Sequence, residues 1–306
     1  FHTLNTIKIN YVGNMEIVKT SKIKNKFRGS VIAIGNFDGL HKGHQKVLKE
    51  AKKTSKKNKI KFGIITFEPV PVMFFNKNVI NHRINNLNQK INLLKKFKAD
   101  FLNIVKFDKK FSNLKYNQFI EKILYKKFNC KFIYISKNFR FGKNREGNIF
   151  KLKEKEKIYE YKTIISKPLK SKNKILSSTI IRSEIKKGNI EKVNNFLGRK
   201  WSIEGKVVMG DKRGRKIGFP TCNIKLNGYV IPKLGVYAVT ILLNKSINKG
   251  IANIGYRPTF NGKTLLLEVN IFGIKKNLYN KKIKVNFIKF IRPEKKFKNI
   301  KELKEQ

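Results

Sequence analysis

His41 and His44 are half of the chain's four histidines, and both fall in the decapeptide Gly35-Asn36-Phe37-Asp38-Gly39-Leu40-His41-Lys42-Gly43-His44. Imidazoles at H-x-G-H spacing suit two side chains that contact the phosphates of one nucleotide and stabilise charge as pyrophosphate departs. Gly35, Gly39 and Gly43 let backbone N–H groups approach an anion. A second candidate is Leu176-Ser177-Ser178-Thr179-Ile180-Ile181-Arg182. Hydroxyls at a helix start cap N–H groups and can bind phosphate, and Arg182 lies one turn on. Alone, Ser177–Thr179 reads as ordinary capping; beside the histidine pair it reads as nucleotide binding. The third is the glycine-rich stretch Gly205–Asn223, whose glycines suit a flap over phosphates. Its Thr221 and Asn223 present oxygens two residues apart, suitable for Mg²⁺ and phosphate. The Gly210–Gly214 turn by itself reads equally well as a plain hairpin. Last is Glu268, the only acid in Leu266–Phe272. Alternation leaves a solvent-facing residue and a catalytic base equally open. No G-x-x-x-x-G-K-[ST] occurs, so a Walker-type phosphate loop is excluded.

Two kinds of element must position these groups. Val31–Ile34, Phe62–Phe67, Phe101–Val105 and Phe132–Ile135 are short continuous apolar runs, as in buried parallel strands. Between them, Val47, Leu48 and Ala51 share a helical face, as do Leu87, Ile91 and Leu94, and Phe119, Ile120, Ile123 and Leu124. Strand–helix alternation predicts a parallel sheet covered by helices. The decapeptide directly follows the first strand and opens the first helix, where open α/β sheets bind ligands. Ser178–Lys187 predicts a further helix stopped by Gly188, and Ile190, Val193, Phe196 and Leu197 a short one after it. Beyond about residue 200 come short strands at Glu204–Met209, Val236–Leu242, Ile251–Ile254, Leu265–Phe272 and Ile283–Phe290. Glycine-rich turns between them predict a small, mostly antiparallel barrel.

With 306 residues, 40% hydrophobic, the chain suits two ordinary domains. No run spans a bilayer and residues 1–14 lack a signal-peptide core. Met15 is expected to be the start, with 1–14 an upstream extension. Cys130 and Cys222 make neither a metal spacing nor a disulfide framework, so a cytoplasmic setting is expected. The net charge of +52 rests on sixty-one lysines and only ten arginines. The lysines are spread evenly, with asparagine and isoleucine also abundant. Drift in an A/T-rich genome explains this better than a nucleic-acid-binding stripe. Such a surface still attracts nucleic acid non-specifically and steers small anionic nucleotides inward. Several arginines resist the drift inside the motifs, and a guanidinium offers phosphate a planar fork that lysine lacks.

The form G-N-F-D-G-x-H-x-G-H resembles the adenylyltransferase half of bacterial bifunctional riboflavin kinase/FAD synthetases. Other segments resemble that family in order. Thr66-Phe67-Glu68-Pro69-Val70-Pro71 matches its T-F-E-P-H-P segment, with Val70 where histidine is usual. Asn138-Phe139-Arg140-Phe141-Gly142 matches the loop after the fourth strand, and Leu176–Arg182 the I-S-S-T-x-I-R signature. Pro220-Thr221-Cys222-Asn223 stands for P-T-A-N of the kinase domain. Gly235-Val236-Tyr237-Ala238 and Asn253-Ile254-Gly255-Tyr256-Arg257-Pro258-Thr259-Phe260 match further kinase segments. Asn270 replaces a usual histidine and Lys275-Lys276-Asn277 is basic where the family is often acidic. The chain is expected to stop inside the last helix, leaving the barrel's closing helix short.

The resemblance implies an α/β, Rossmann-like nucleotidyltransferase domain over 15–188 and a riboflavin kinase-like β-barrel over 189–306. It implies that riboflavin and ATP give FMN and ADP, and that FMN and ATP give FAD and pyrophosphate, with Mg²⁺. His41, His44 and Glu268 would be catalytic, Glu268 as the base for the riboflavin 5′-hydroxyl. Gly35, Phe37, Asp38, Gly39, Ser177, Ser178, Thr179, Arg182, Gly210 and Gly218 would bind nucleotide. Asn138, Phe139, Arg140 and Arg257 would bind flavin, and Thr221 and Asn223 the metal. The alternatives are one surviving activity, another H-x-G-H transferase, or a basic nucleic-acid-binding protein on a decayed enzyme scaffold. The barrel with P-T-C-N and Glu268 argues against the second, and the lack of a nucleic-acid-binding motif against the third.

Overall fold

The computed structural model describes residues 15–18, 23–171, 174–209, 220–243, 246–259, 262–274, 277–295 and 302. They group into two compact units. One holds the described residues up to Lys77 together with Lys90–Lys170; the other holds Asn78–Gln89 and the described residues from Ser171 onward. Among the described residues no helix is long and apolar enough to cross a membrane.

The first unit is built on a parallel sheet. Its strands are β1 (Glu16–Val18), β2 (Val31–Ile34), β3 (Phe62–Glu68), β4 (Phe101–Lys106), β5 (Phe132–Ser136) and β6 (Lys162–Ser166), in the order β1-β4-β3-β2-β5-β6. The four apolar runs form the strands expected of them. Val31 pairs with Phe62 on one side and Phe132 on the other, so β2 is central. All four of its residues are buried, which is why it carries no alternation. The edge strands β1 and β6 were not foreseen. β1 has three residues, and β6 mixes Lys162, Thr163 and Ser166 with two isoleucines. Helix α1 (Lys42–Lys57) buries Val47, Leu48 and Ala51, the face its periodicity marks; helix α2 is Leu87–Lys95. From β2 the chain steps outward through β3 and β4, then returns to the other side of β2 as β5. The reversal opens a crevice at the carboxyl ends of β2 and β5, the place where doubly wound sheets hold nucleotides.

A two-stranded ribbon, β7 (Lys170–Ser171) with β8 (Lys174–Ile175), follows in sequence. The second unit then carries helices α3 (Ser178–Lys187) and α4 (Ile190–Leu197) and a closed antiparallel barrel. Its strands are β9 (Ser202–Val208), β10 (Thr221–Lys225), β11 (Gly235–Leu243), β12 (Ser246–Thr259), β13 (Gly262–Ile271) and β14 (Lys282–Arg292), in the cyclic order β10-β13-β12-β11-β14-β9. Closure leaves no unpaired edge. Strand β10 was not read from the sequence; with Cys, Asn and Lys among five residues it has no long apolar run. Gly188 ends α3 in the left-handed conformation (φ 80°), as a C-cap glycine should. Ile224, Ile254, Leu267 and Val269 point into the barrel and are buried. Their strand neighbours Asn223, Asn253, Glu268 and Asn270 therefore lie on its outer face. Trp201 is fully buried, packs on Phe287 and donates its indole N–H to the Ile84 carbonyl at 2.9 Å.

Candidate active sites

In the first unit the chain leaves β2 through a left-handed turn. Phe37 has φ 48°, Gly39 φ 75° and Leu40 φ 39°, and only at Gly39 is such a conformation free of steric cost. The Phe37 ring is buried over Gly35, where a Cβ would lie 3.2 Å from the ring, and it meets His44 edge-on. It thus props the histidine from below. Asp38 is buried in the same turn. The turn ends at His41, the N-cap of α1, whose Nδ1 accepts the His44 backbone N–H at a long 3.3 Å. With Nδ1 an acceptor, the neutral ring carries its proton on Nε2 and can donate it outward.

The His41 and His44 rings stack, with centroids 3.7 Å apart and planes 20° apart. Burial first, and the neighbouring His41 second, hold the His44 pKa well below the usual histidine range. His44 Nδ1 is buried and has no hydrogen-bond partner among the described residues. Two stacked imidazoles cannot both charge cheaply. The site thus sets a His44 held neutral by burial beside His41 at the positive end of a sixteen-residue helix, suited to phosphate.

The ends of the flanking strands supply the surroundings. Thr66 Oγ1 donates to the Asn36 carbonyl at 3.1 Å, tying β3 to the turn. Lys90 of α2, buried, points its ammonium at Asn36 O, Thr66 Oγ1 and Phe67 O at 3.3–3.5 Å and at Glu68 at 3.7 Å. Beyond β3 and β4, Phe74 and Phe75 contact Phe107 edge-on, and Phe107 contacts Phe67 and Phe111. Phe75 is 68% exposed. After β5, Asn138 and Arg140 are exposed, while Phe139 is half-buried and stacked on Phe141. Neither Lys90 nor this aromatic group was foreseen. Lys90 sits three residues after Leu87 and four before Leu94, on the apolar stripe of its helix, and that misplaced charge was the available signal.

The signature Leu176–Arg182 lies in the second unit. Ser177 is the N-cap of α3, its Oγ accepting the Ile180 N–H at 3.3 Å. Ser178 and Arg182 are half-buried and Thr179 is exposed. Nearby His82 is pushed down to about 4, by burial first and then by the charges of Arg182, Lys186 and Arg83. That side of α3 is therefore rich in cations.

On the barrel, the register sets Asn223 of β10 opposite Glu268 of β13, and Glu268 opposite Asn253 of β12. Cross-strand partners share a face, so a carboxylate stands between two amides. Asn223 Oδ1 and Asn253 Oδ1 are buried without hydrogen-bond partners among the described residues. Arg257, two pairs along β12, closes on Glu268 through Nε at 3.1 Å and Nη2 at 2.5 Å. Its Nη1 reaches Glu294 at 3.2 Å, and Glu294 also accepts from Asn253 Nδ2 at 3.1 Å. The bond to Glu268 is the chief reason that the Arg257 pKa is raised. Gly255 makes room for Glu294: a Cβ there would fall 2.0 Å from Oε1. Thr221 begins β10 opposite Asn270, whose amide donates to Pro220 O at 2.9 Å. Gly210 and Gly218 lie outside the described residues.

Among the described residues no group of three or more His, Cys, Asp and Glu could hold a metal ion. The orphaned Asn223 oxygen is nonetheless a hard, neutral donor of the kind Mg²⁺ accepts beside water and substrate phosphate. The residues therefore fit a divalent ion brought in with a nucleotide.

Comparison with known proteins matches each half of the chain to a family. The family model described as FAD synthetase matches residues 23–180, and that described as riboflavin kinase matches 197–306. A bifunctional riboflavin kinase/FMN adenylyltransferase of Buchnera aphidicola subsp. Schizaphis graminum is 44% identical over 282 residues, covering 90% of each chain. The one from Escherichia coli K12 is 36% identical, covering 91% of this chain and 89% of its own. That from Bacillus subtilis 168 is 37% identical, covering 93% and 91%. A crystal structure described as a macrolide-efflux protein from Streptococcus pneumoniae superposes with a TM-score of 0.85 at 28% identity, covering 95% of each chain. Two family models in tandem and relatives aligned over nine-tenths of their length leave one conclusion: the chain belongs to the bifunctional riboflavin kinase/FMN adenylyltransferase family.

Proposed function

We propose that the chain phosphorylates riboflavin with ATP on the barrel and adenylylates the resulting FMN with a second ATP at the sheet. The observation that carries this reading is the presence in one chain of two phosphate-handling centres of different build. One is the stacked imidazole pair at the start of α1; the other is the carboxylate between two amides on the barrel.

At the barrel, the riboflavin 5′-hydroxyl oxygen attacks the γ-phosphorus of ATP, the bond to the β-phosphate oxygen breaks, and ADP leaves. Glu268 takes the hydroxyl proton. Arg257 must yield that carboxylate as flavin arrives, and a guanidinium beside the flavin is then ready for its polar edge or new phosphate. Thr221 and Asn223 would hold Mg²⁺, which when bound neutralises charge on the nucleotide phosphates. Gly210 and Gly218 would bind nucleotide.

At the sheet, an FMN phosphate oxygen attacks the α-phosphorus of ATP and pyrophosphate leaves. His41 and His44 donate to the phosphates, and the turn Gly35–Gly39 offers backbone N–H groups. Ser177, Ser178, Thr179 and Arg182 of the second unit are read as nucleotide-binding in their own right, from the capped start of α3. Asn138, Phe139 and Arg140 would contact flavin, and the Phe74–Phe107 group offers aromatic faces and edges to an isoalloxazine ring. We place the boundary between the activities at residue 188, within the gap between the two family matches. A cytoplasmic setting fits the two free cysteines.

The test is incubation of the full chain with riboflavin, ATP and Mg²⁺, resolving products by chromatography. FMN should appear first and FAD after it. FMN alone would leave one activity standing, and neither product would reject the reading.

A further inference from the structure

We propose that Lys90 is a positioning residue for adenylyl transfer, acting through the turn that carries the histidine pair; this rests on the transferase reading above. Its ammonium is buried at the carboxyl ends of β2 and β3, with side-chain exposure of 5%. Four oxygens surround it: Phe67 O at 3.3 Å, Thr66 Oγ1 at 3.4 Å, Asn36 O at 3.5 Å and Glu68 Oε2 at 3.7 Å. These distances are long for individual hydrogen bonds. They describe a cation held in an oxygen cage more than a donor committed to one acceptor.

A lysine is seldom buried unless something is gained by its charge there. Among these four oxygens Glu68 supplies the carboxylate and stands farthest away. Two of them belong to the phosphate turn itself or to its anchor: Asn36 O is the carbonyl just before Phe37, and Thr66 Oγ1 is bonded to that same carbonyl. Holding the Asn36 carbonyl fixes the peptide plane between Asn36 and Phe37, and so turns the Phe37 N–H away from the cage, as a trans peptide requires. The Lys90 ammonium lies beside that turn, in surroundings where water does not screen it. A nucleotide phosphate entering above would then meet the imidazole pair, the helix N-terminus and a fixed buried cation. Because the charge is already in place, its help costs no reorganisation as negative charge moves onto the departing pyrophosphate. Glu68 anchors Lys90 from the far side, giving the Thr66–Glu68 segment a part in the site that does not need a histidine at Val70.

The test uses the full chain with three variants. Lys90→Met removes the charge and keeps the length, Lys90→Gln keeps a donor without the charge, and Lys90→Arg keeps the charge. FMN formation from riboflavin, made in the other unit, reports folding. The expected result is that Lys90→Met and Lys90→Gln lower kcat for FAD formation from supplied FMN by about tenfold or more, with the KM for FMN changed by less than about threefold. Lys90→Arg should recover most of the loss. FAD formation within about threefold of wild type in both neutral variants overturns the proposal. So does a loss confined to the KM for FMN, or a parallel loss of FMN formation. If neither neutral variant accumulates as folded protein, Lys90 is structural and the proposal falls. A wild-type chain that makes no FAD would instead overturn the function reading itself.

Discussion

The sheet site and the barrel site handle the same nucleotide with opposite materials. At the end of β2 the groups proposed to face phosphate are backbone N–H groups and two stacked imidazoles, held by a buried turn and a helix cap. On the barrel the groups are side chains on an outer face, and the central one, Glu268, is held by Arg257. The first centre is complete before substrate arrives. The second has its proposed base, Glu268, engaged by Arg257, and on that proposal must exchange one partner for another. A site made of backbone is set by the fold, whereas a site made of an ion pair can be switched by what binds to it.

The largest effects should come from removing the central groups. His41→Ala or His44→Ala should lower FAD formation on the order of a hundredfold or more while sparing FMN formation. Glu268→Ala should do the reverse, lowering FMN formation by about a hundredfold or more and sparing FAD formation from supplied FMN. Separate product assays check this, and equal loss of both activities in any one variant would erase the distinction between the centres.

Next come two glycines that test rigidity. At Gly63 a Cβ would lie 2.1 Å from the fully buried Phe101 ring. Gly63→Ala should therefore cost about 1–3 kcal/mol, read as a lower urea midpoint for the first unit. At Gly255 the clash is with the tip of Glu294, which can move. Gly255→Ala should cost less than about 1 kcal/mol in stability, and should show itself in kinase turnover by moving Glu294 off Arg257. Comparable stability losses at both positions would contradict the idea that the barrel site is the looser one.

A smaller effect is expected at Glu294, which shares the Arg257 guanidinium with Glu268. Glu294→Gln removes the competitor, so Arg257 should grip Glu268 more firmly and kinase kcat should drop. The pair is partly exposed, so the change should be no more than about fivefold. Faster kinase turnover in Glu294→Gln would mean that Arg257 helps Glu268 rather than restrains it.

The sequence showed the two centres unequally, and for physical reasons. The decapeptide was legible because its glycines and histidines are consecutive in the chain. Strands β2 to β5 were legible because burial on both faces leaves unbroken apolar runs. Strands β1, β6 and β10 were not, since β1 has only three residues and β6 and β10 mix Lys, Thr, Ser or Asn with few apolar residues; none has a pattern of its own and all are fixed by their neighbours. Glu268 stood out as a lone acid, but its ion pair with Arg257 depends on the register of β12 against β13, eleven residues apart in sequence. Asn253 was hidden for the same reason. Lys90 was masked by composition: one lysine among sixty-one attracts notice only through its place on a helix face.

The finest contrast lies in the two depressed histidines. Burial is the main cause for both, but His44 has one further influence, His41, whereas His82 faces Arg182, Lys186 and Arg83. A histidine held neutral in the folded chain but free to protonate when unfolded leaves stability undiminished above its unfolded pKa, about 6.5. As pH falls below that value the unfolded chain gains the proton first, and stability declines until the folded pKa is reached, about 4 for His82. His82→Gln should therefore flatten the fall of the second unit's urea midpoint between about pH 6.5 and 4 and leave the first unit's unchanged. High salt screens the three cations but not the burial, so it should remove only the smaller share of the slope. A slope abolished by salt would make charge repulsion the main cause at His82.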